Sequence, residues 1–258
     1  MLSDDFEGFA SRTLEVAGYR LNVRLSTGPA PPGPVPVVLV HGLGVSSRHW
    51  MPAGRLFARN HAVFAPDLPG SGRSDKPRHA LTLVELADVL AACMDELDVG
   101  PAAVLGVSYG CQIVIDLAVH HSEAVRAAVL IAPTMDPTMG PIEHFVRLLM
   151  DAPREPLSLM PVVARDYLDF GIPRALATLN DAMEDWVLEE AEQVGVPALV
   201  VRGSRDPIVS EQWAKRLTTT LPNGSLHEIP GAAHATNFNS AEEVVELVED
   251  FLAGELSV

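Results

Sequence analysis

The sequence predicts an α/β domain, a mostly parallel sheet covered by helices on both faces, with a helical segment inserted late in the chain. Three observations carry this. Short, nearly continuous β-branched runs alternate with longer stretches of helical period, as buried parallel strands and their covering helices require. The 258 residues fit one domain with an insertion. From residue 134 to about residue 193 no strand candidate occurs, and a connection that long in a compact domain is usually functional.

Residues 12–26 alternate apolar and polar side chains around Gly18-Tyr19, which predicts a two-stranded antiparallel hairpin. Residues 27–36 form a Gly/Pro connector. The strand runs follow at 37–40, 62–65, 102–107, 127–131, 198–201 and 226–229, with helices expected over 50–59, 82–98, 109–120, 212–221 and 241–252. In the last helix Val244, Leu247, Val248, Phe251 and Leu252 share a face opposite Glu242, Glu243, Glu246 and Asp250, the pattern of a surface helix that closes the domain. The inserted segment reads as short helices beginning at Pro141, Pro156 and Pro173. It is rich in Met, Leu and aromatic residues, including Phe145, Tyr167, Phe170 and Trp186. The expected division is a core of residues 1–133 and 194–258 and a helical cap of residues 134–193.

Charge narrows the function classes. Lys plus Arg number 18 against 34 Asp plus Glu, a formal charge of −16, which repels phosphate backbones and anionic lipid; nucleic-acid binding is not expected. Cys93 and Cys111 have no paired spacing, so neither a disulfide framework nor a thiolate zinc site is expected. The start, Met1-Leu2-Ser3-Asp4-Asp5-Phe6-Glu7, is acidic where a signal peptide begins basic. Prolines at 29, 31, 32, 34 and 36 break the longest charge-free stretch, which speaks against a membrane span. A cytoplasmic protein without membrane partners is the expectation, and nothing in the sequence sets an oligomeric state.

The sharpest chemical signal is Gly106-Val107-Ser108-Tyr109-Gly110, lying between the strand run at 102–107 and the helix that follows. A tight strand-to-helix turn exposes the serine oxygen in a strained conformation, and small flanking residues avoid collision with neighbouring backbone. A serine hydroxyl needs a base to take its proton, and the base needs a carboxylate to fix its tautomer. Asp206 follows the run at 198–201, and His234 follows the run at 226–229. Loops at the carboxyl ends of parallel strands converge on one edge, so Ser108, Asp206 and His234 can meet. Donors for an oxyanion are expected from the backbone N–H of Tyr109, at a helix N-terminus, and of Leu43 in His41-Gly42-Leu43-Gly44, where glycines allow close backbone approach.

With these residues the sequence resembles the α/β-hydrolase superfamily over almost its whole length. Asp67-Leu68-Pro69-Gly70-Ser71-Gly72-Arg73-Ser74 is similar to that family's DLPGxGxS loop, and Gly203-Ser204-Arg205-Asp206-Pro207-Ile208-Val209 to its acid loop. The resemblance implies an eight-stranded, mostly parallel sheet, a cap over the active site, and Ser108, Asp206 and His234 as the triad. Some positions depart from the pattern. Cys111 stands where many members have a further glycine. The loop at 41–44, His-Gly-Leu-Gly rather than HGGG, argues against the hormone-sensitive-lipase branch, and Ser108 in place of Asp against haloalkane dehalogenases and epoxide hydrolases. Ala235 stands where meta-cleavage C–C hydrolases commonly show Trp.

Blander roles compete at several positions. Asp136, soon after the run at 127–131, is the rival acid. His41 is expected to hold the oxyanion loop by a hydrogen bond, and Asp67 and Arg73 to brace their own loop. His120-His121 does not make a metal pair, because adjacent helical residues point about 100° apart and no HExxH pattern accompanies them. Cys93 and Cys111 read as small buried residues. Residues 135–190 hold 11 acids against 4 arginines, which disfavours anionic substrates at the cap. The function expected is a serine carboxylesterase cleaving small to medium uncharged apolar esters through an acyl-enzyme on Ser108, with no metal or organic cofactor. Thioesterase, lactonase or C–C hydrolase chemistry on the same triad, and a hydrolase-like ligand receptor with little turnover, are the alternatives. An ordinary imidazole would place the rise of activity near pH ~6.5–7.

Overall fold

The computed structural model describes residues 6–28 and 35–255, apart from the side chains of Pro141 and Phe145. The acidic start and most of the Gly/Pro connector lie outside the described residues. The chain opens with β1 (Phe9–Val16) and β2 (Tyr19–Ser26), an antiparallel pair joined at Ala17 and Gly18, which take φ of +50° and +82°. The parallel strands are β3 (Val37–Val40), β4 (Val63–Pro66), β5 (Ala102–Val107), β6 (Val125–Ile131), β7 (Ala198–Gly203) and β8 (Gly224–Ile229). They lie within one or two residues of the runs read from the sequence; β3, β5 and β7 are buried on both faces, which needs β-branched and small apolar residues throughout, while β8 is a largely exposed edge strand.

All of these strands form one eight-stranded sheet in the order β1-β2-β4-β3-β5-β6-β7-β8. Only β1–β2 and β2–β4 pair antiparallel. After β3 the chain adds β4 on one side and then crosses to β5 on the other, so the direction of winding reverses between β3 and β5. Such a reversal opens a crevice at the carboxyl ends of the two strands. Helices α1 (Met51–Phe57) and α10 (Ala241–Glu255) pack on each other, and α2 (Leu83–Glu96) packs on α3 (Gly110–His120). In α10, Val244, Val245, Val248 and Leu252 are buried while Leu247 and Phe251 are half-buried, close to the face expected. Helix α8 (Glu211–Thr220) packs on β7 and β8.

Local signals explain the helix starts. Thr82 and Glu85 form a reciprocal cap at α2, with Thr82 N–H donating to Glu85 Oε2 at 2.8 Å. The helix expected over 50–59 divides into a 3-10 turn over Ser47–Trp50 and α1, which has Pro52 in its first turn. Two indole N–H groups bolt strand ends: Trp50 Nε1 donates to the Val40 carbonyl and Trp213 Nε1 to the Pro133 carbonyl, each at 2.9 Å. Both tryptophans are fully buried, where an unpaired N–H would be costly.

Between β6 and β7 the chain inserts α4 (Pro141–Asp151), α5 (Met160–Phe170), α6 (Ile172–Glu184) and α7 (Val187–Ala191). Pro141 and Pro173 sit in first turns, as read from the sequence. Pro156 does not begin a helix. Its carbonyl accepts from Leu159 N–H at 2.9 Å, closing a turn ahead of α5, whose first turn holds Pro161 instead. A short helix, α9 (Thr236–Asn239), follows His234 and was not apparent from the sequence, being too brief to show a period.

Candidate active site

The two loops expected to do the chemistry flank the crevice where the winding reverses. His41-Gly42-Leu43-Gly44 leaves β3 and Ser108 leaves β5, and these strands are direct neighbours. Ser108 takes φ of +56°, a left-handed conformation that costs a non-glycine residue about 1–3 kcal/mol. The turn survives because it is over-determined. Ser108 N–H donates to the Ile131 carbonyl at 2.8 Å, and the Ser108 carbonyl accepts from Cys111 N–H at 3.0 Å. The flanking glycines answer to backbone crowding: a Cβ on Gly106 would strike the Gly110 carbonyl, and one on Gly110 would lie 2.7 Å from the Val40 and His41 carbonyl oxygens.

Across the rim, the β7 and β8 loops bring in the other two groups. His234 Nε2 lies 3.1 Å from Ser108 Oγ, and His234 Nδ1 lies 2.8 Å from Asp206 Oδ2. The other carboxylate oxygen of Asp206 accepts from the N–H groups of Ile208 and Val209 at 2.7 and 3.0 Å, so the side chain is fixed before it meets the imidazole. The rival Asp136 is turned toward its own loop, where it accepts from Thr138 N–H at 2.9 Å and Thr138 Oγ1 at 2.7 Å. Burial alone would push the His234 imidazole down. Asp206 in contact, with Asp151 and Glu155 nearby, outweighs that and raises it to about 9. The ordinary imidazole value used in reading the sequence missed this, because two of the three carboxylates come from the insertion.

Among the described residues, neither Leu43 N–H nor Tyr109 N–H has an intramolecular acceptor. Gly42, Leu43, Ser108 and His234 share the wall of a cavity of about 350 Å³, within the usual range for small-molecule sites. The rest of that wall is mostly apolar and comes largely from the insertion, with Leu149, Leu159, Met160 and Val163 among its residues. The His234 side chain keeps 13% of its surface exposed, so the imidazole is accessible from this space.

A family model described as the alpha/beta hydrolase family matches residues 37–247. The chain belongs to this family. It is 28% identical to the dihydrolipoyllysine-residue acetyltransferase component of the acetoin cleaving system of Pseudomonas putida, over 97% of this chain and 71% of that protein. It is 25% identical to the poly(3-hydroxyalkanoate) depolymerase of Ectopseudomonas oleovorans, over 95% and 93% of the two chains. The enol-lactonase of Burkholderia xenovorans LB400 superposes with a TM-score of 0.76 at 24% identity, covering 94% of this chain and 100% of that one. This chain is therefore an α/β hydrolase.

In this hydrolase the supporting residues are tightly engaged. His41 is buried, and burial lowers its pKa. Its Nε2 accepts from Leu68 N–H at 3.0 Å while Nδ1 lies 2.9 Å from the Gly42 carbonyl, so the ring is a brace with both nitrogens occupied. Asp67 reaches beyond its own loop. It accepts from Arg73 N–H at 3.0 Å, from Ser47 N–H at 2.9 Å and from Asn22 Nδ2 at 3.0 Å, tying the β4 loop to the turn before α1 and to β2. Cys93 and Cys111 are buried, and burial pushes both thiols up, Cys93 to about 12. His120 faces Asp116 and His121 faces Asp88, so the pair does not converge. No cluster able to hold a metal ion occurs among the described residues, and no helix among them is long and apolar enough to cross a membrane.

Three polar residues of the cavity wall escaped the sequence. His49 has its Nδ1 3.1 Å from Asn237 Nδ2, which also donates to the His49 carbonyl at 3.1 Å. That second bond orients the amide, so Nδ1 accepts and the ring hydrogen is assigned to Nε2. Burial, then the nearby His234 and His41, lowers His49 to about 3, keeping it neutral. The other two are Asp151 and Glu155. Their spacing of four was visible, but an acid pair on a helical segment ordinarily reads as a solvated face.

Proposed function

We propose that this α/β hydrolase is a serine carboxylesterase acting on small to medium, uncharged, apolar esters. The observation that supports this most is the hydrogen-bonded line from Ser108 through His234 to Asp206, opening onto an apolar cavity. Ser108 Oγ attacks the ester carbonyl as its proton passes to His234 Nε2. Asp206 accepts from Nδ1–H, holding the productive tautomer and stabilising the imidazolium. The oxyanion settles against Leu43 N–H and Tyr109 N–H, and loss of one such donor costs ~2.7–4 kcal/mol of transition-state stabilisation. His234 returns the proton to the departing alcohol oxygen, leaving an acyl-enzyme. Water, deprotonated by the same imidazole, attacks the acyl carbon; Ser108 departs with that proton and the free acid is released.

The helices of residues 134–193 act as a cap that supplies the wall facing the acyl chain. Asp151 and Glu155 in that wall disfavour anionic substrates, in keeping with the acidic bias of the whole segment. Fluorophosphonate labelling with peptide mapping, beside a panel of p-nitrophenyl esters graded by acyl length, tests the proposal. Stoichiometric labelling of Ser108 is expected, with turnover that falls by about 10⁶-fold in Ser108→Ala. Labelling without turnover on any ester would make the protein a receptor instead. The neutral imidazole is the active form, so kcat/KM is expected to climb with pH through neutrality toward the His234 value of about 9.

A further inference from the structure

Asp151 closes α4, and Glu155 follows one turn later. Both point at the rim loop that bears His234. Asp151 Oδ1 accepts from the backbone N–H of His234 at 3.3 Å, and Glu155 Oε1 accepts from the backbone N–H of Ala235 at 2.7 Å. Glu155 Oε2 also accepts from Asn239 Nδ2 at 2.8 Å, at the last residue of α9. Asp151 is 4% exposed, and the Glu155 carboxyl lies near enough to raise its pKa. Burying one carboxyl beside another is unfavourable unless charge and donors compensate. Here the compensation is two consecutive backbone N–H groups and the imidazole itself.

We propose that Asp151 and Glu155 are positioning residues for His234: from the inserted helices they clamp the backbone of its loop and set the charge surrounding its ring. The proposal rests on the serine-hydrolase assignment for its catalytic meaning. Among the described residues, the titratable groups that act on the imidazole are Asp206 from the β7 loop, Asp151 and Glu155 from the insertion, and His49 from the turn before α1. His49 is neutral and Asp206 belongs to the sheet, so only the clamp varies with the seating of the insertion. Docking of α4 therefore both orders the loop and makes the imidazole more basic; lifting it leaves a floppier loop and a weaker base. Burial, and then Glu155 and Asp206, hold Asp151 above the ordinary carboxylate range against the pull of His234.

NMR titration of the His234 imidazole tests this without any substrate, in Asp151→Asn/Glu155→Gln, in Glu155→Gln alone, and in Asp169→Asn as an exposed acid on α5. The double variant keeps acceptor oxygens but removes charge; its His234 midpoint is expected to fall by about one pH unit. Glu155→Gln, half-buried and the safer variant for folding, is expected to move it part of the way, and Asp169→Asn not at all. The acid limb of kcat/KM is expected to move with the midpoint. A His234 titration that superimposes on the wild type in Glu155→Gln and the double variant, or one that Asp169→Asn shifts equally, overturns the clamp. Absence of wild-type labelling at Ser108 would instead overturn the hydrolase assignment, and the titration would still decide the clamp.

Discussion

Strand β5 buries all six of its residues, whereas Ile142 on α4, Leu168 on α5 and Ile172 on α6 stand 80%, 84% and 75% exposed. The sheet is held by continuous apolar contact, with Leu105 and Ile113 fully enclosed. The insertion packs Ala182, Val187 and Ala191 of α6 and α7 into the core, whereas α4 and α5, which line the cavity, add no residue to that core among the described residues and meet the rim through polar contacts. On the oxyanion side, Asp166 of α5 accepts from Arg48 Nη1 at 2.5 Å and from Ser46 Oγ at 2.6 Å. On the imidazole side the attachment is Asp151 and Glu155. Apolar burial is non-directional and spreads its stabilisation over many residues, while a few buried polar contacts give register and can release as units. Helices α4 and α5 thus rest on a few directional contacts, and the strands that aim the nucleophile rest on apolar burial.

The sharpest way to break this contrast is through the sheet-borne carboxylate. Asp206→Asn is expected to lower kcat by about 10⁴-fold through the wrong imidazole tautomer, while Asp136→Asn, whose side chain engages Thr138, leaves it near wild type. Steady-state kinetics on one p-nitrophenyl ester decides, and a larger loss from Asp136→Asn would reassign the acid. Next comes Asp166→Ala, which removes the buried carboxylate that Arg48 Nη1 and Ser46 Oγ meet. A loss of about 3–5 kcal/mol is expected, seen as early protease cleavage within residues 134–193 while the sheet keeps its hydrogen-exchange protection. Equal loss of protection in β5 and β6 would show that the two regions unfold together.

Leu105→Ala sharpens the comparison from the other side. A cavity in the middle of the sheet is expected to cost about 2–5 kcal/mol in a single global transition by urea denaturation, with kcat of the folded fraction little changed. The smallest effect belongs to the exposed apolar residues of the insertion. Leu168→Ser is expected to change stability by no more than about 0.5 kcal/mol, and a loss several times larger would mean that this side chain is covered in solution.

Much of the sheet and the rim was legible because each signal is local. A buried parallel strand announces itself in four to six consecutive residues, as at Val37–Val40, and a strained turn needs its glycines within two positions of Ser108, as at Gly106 and Gly110. Chain order and the rule that strand ends converge then sufficed to bring Asp206 and His234 toward Ser108. Helix starts were less legible: Pro156 and Pro161 both qualify, and only hydrogen bonding in the folded chain chose the second.

By itself, then, the sequence determined the sheet, the helical nature of the insertion and which hydroxyl, imidazole and carboxylate lie on one rim, because near-neighbour sterics and hydrophobic period dictate these. Tertiary structure alone decided what surrounds them. Asp166 meets Ser46 across 120 residues and Asp151 meets His234 across 83, contacts that no periodicity encodes. Asp206, joined by Asp151 and Glu155 from the insertion, raises the imidazole above its ordinary value, since a charge acts through space and the chain that separates two groups does not weaken it.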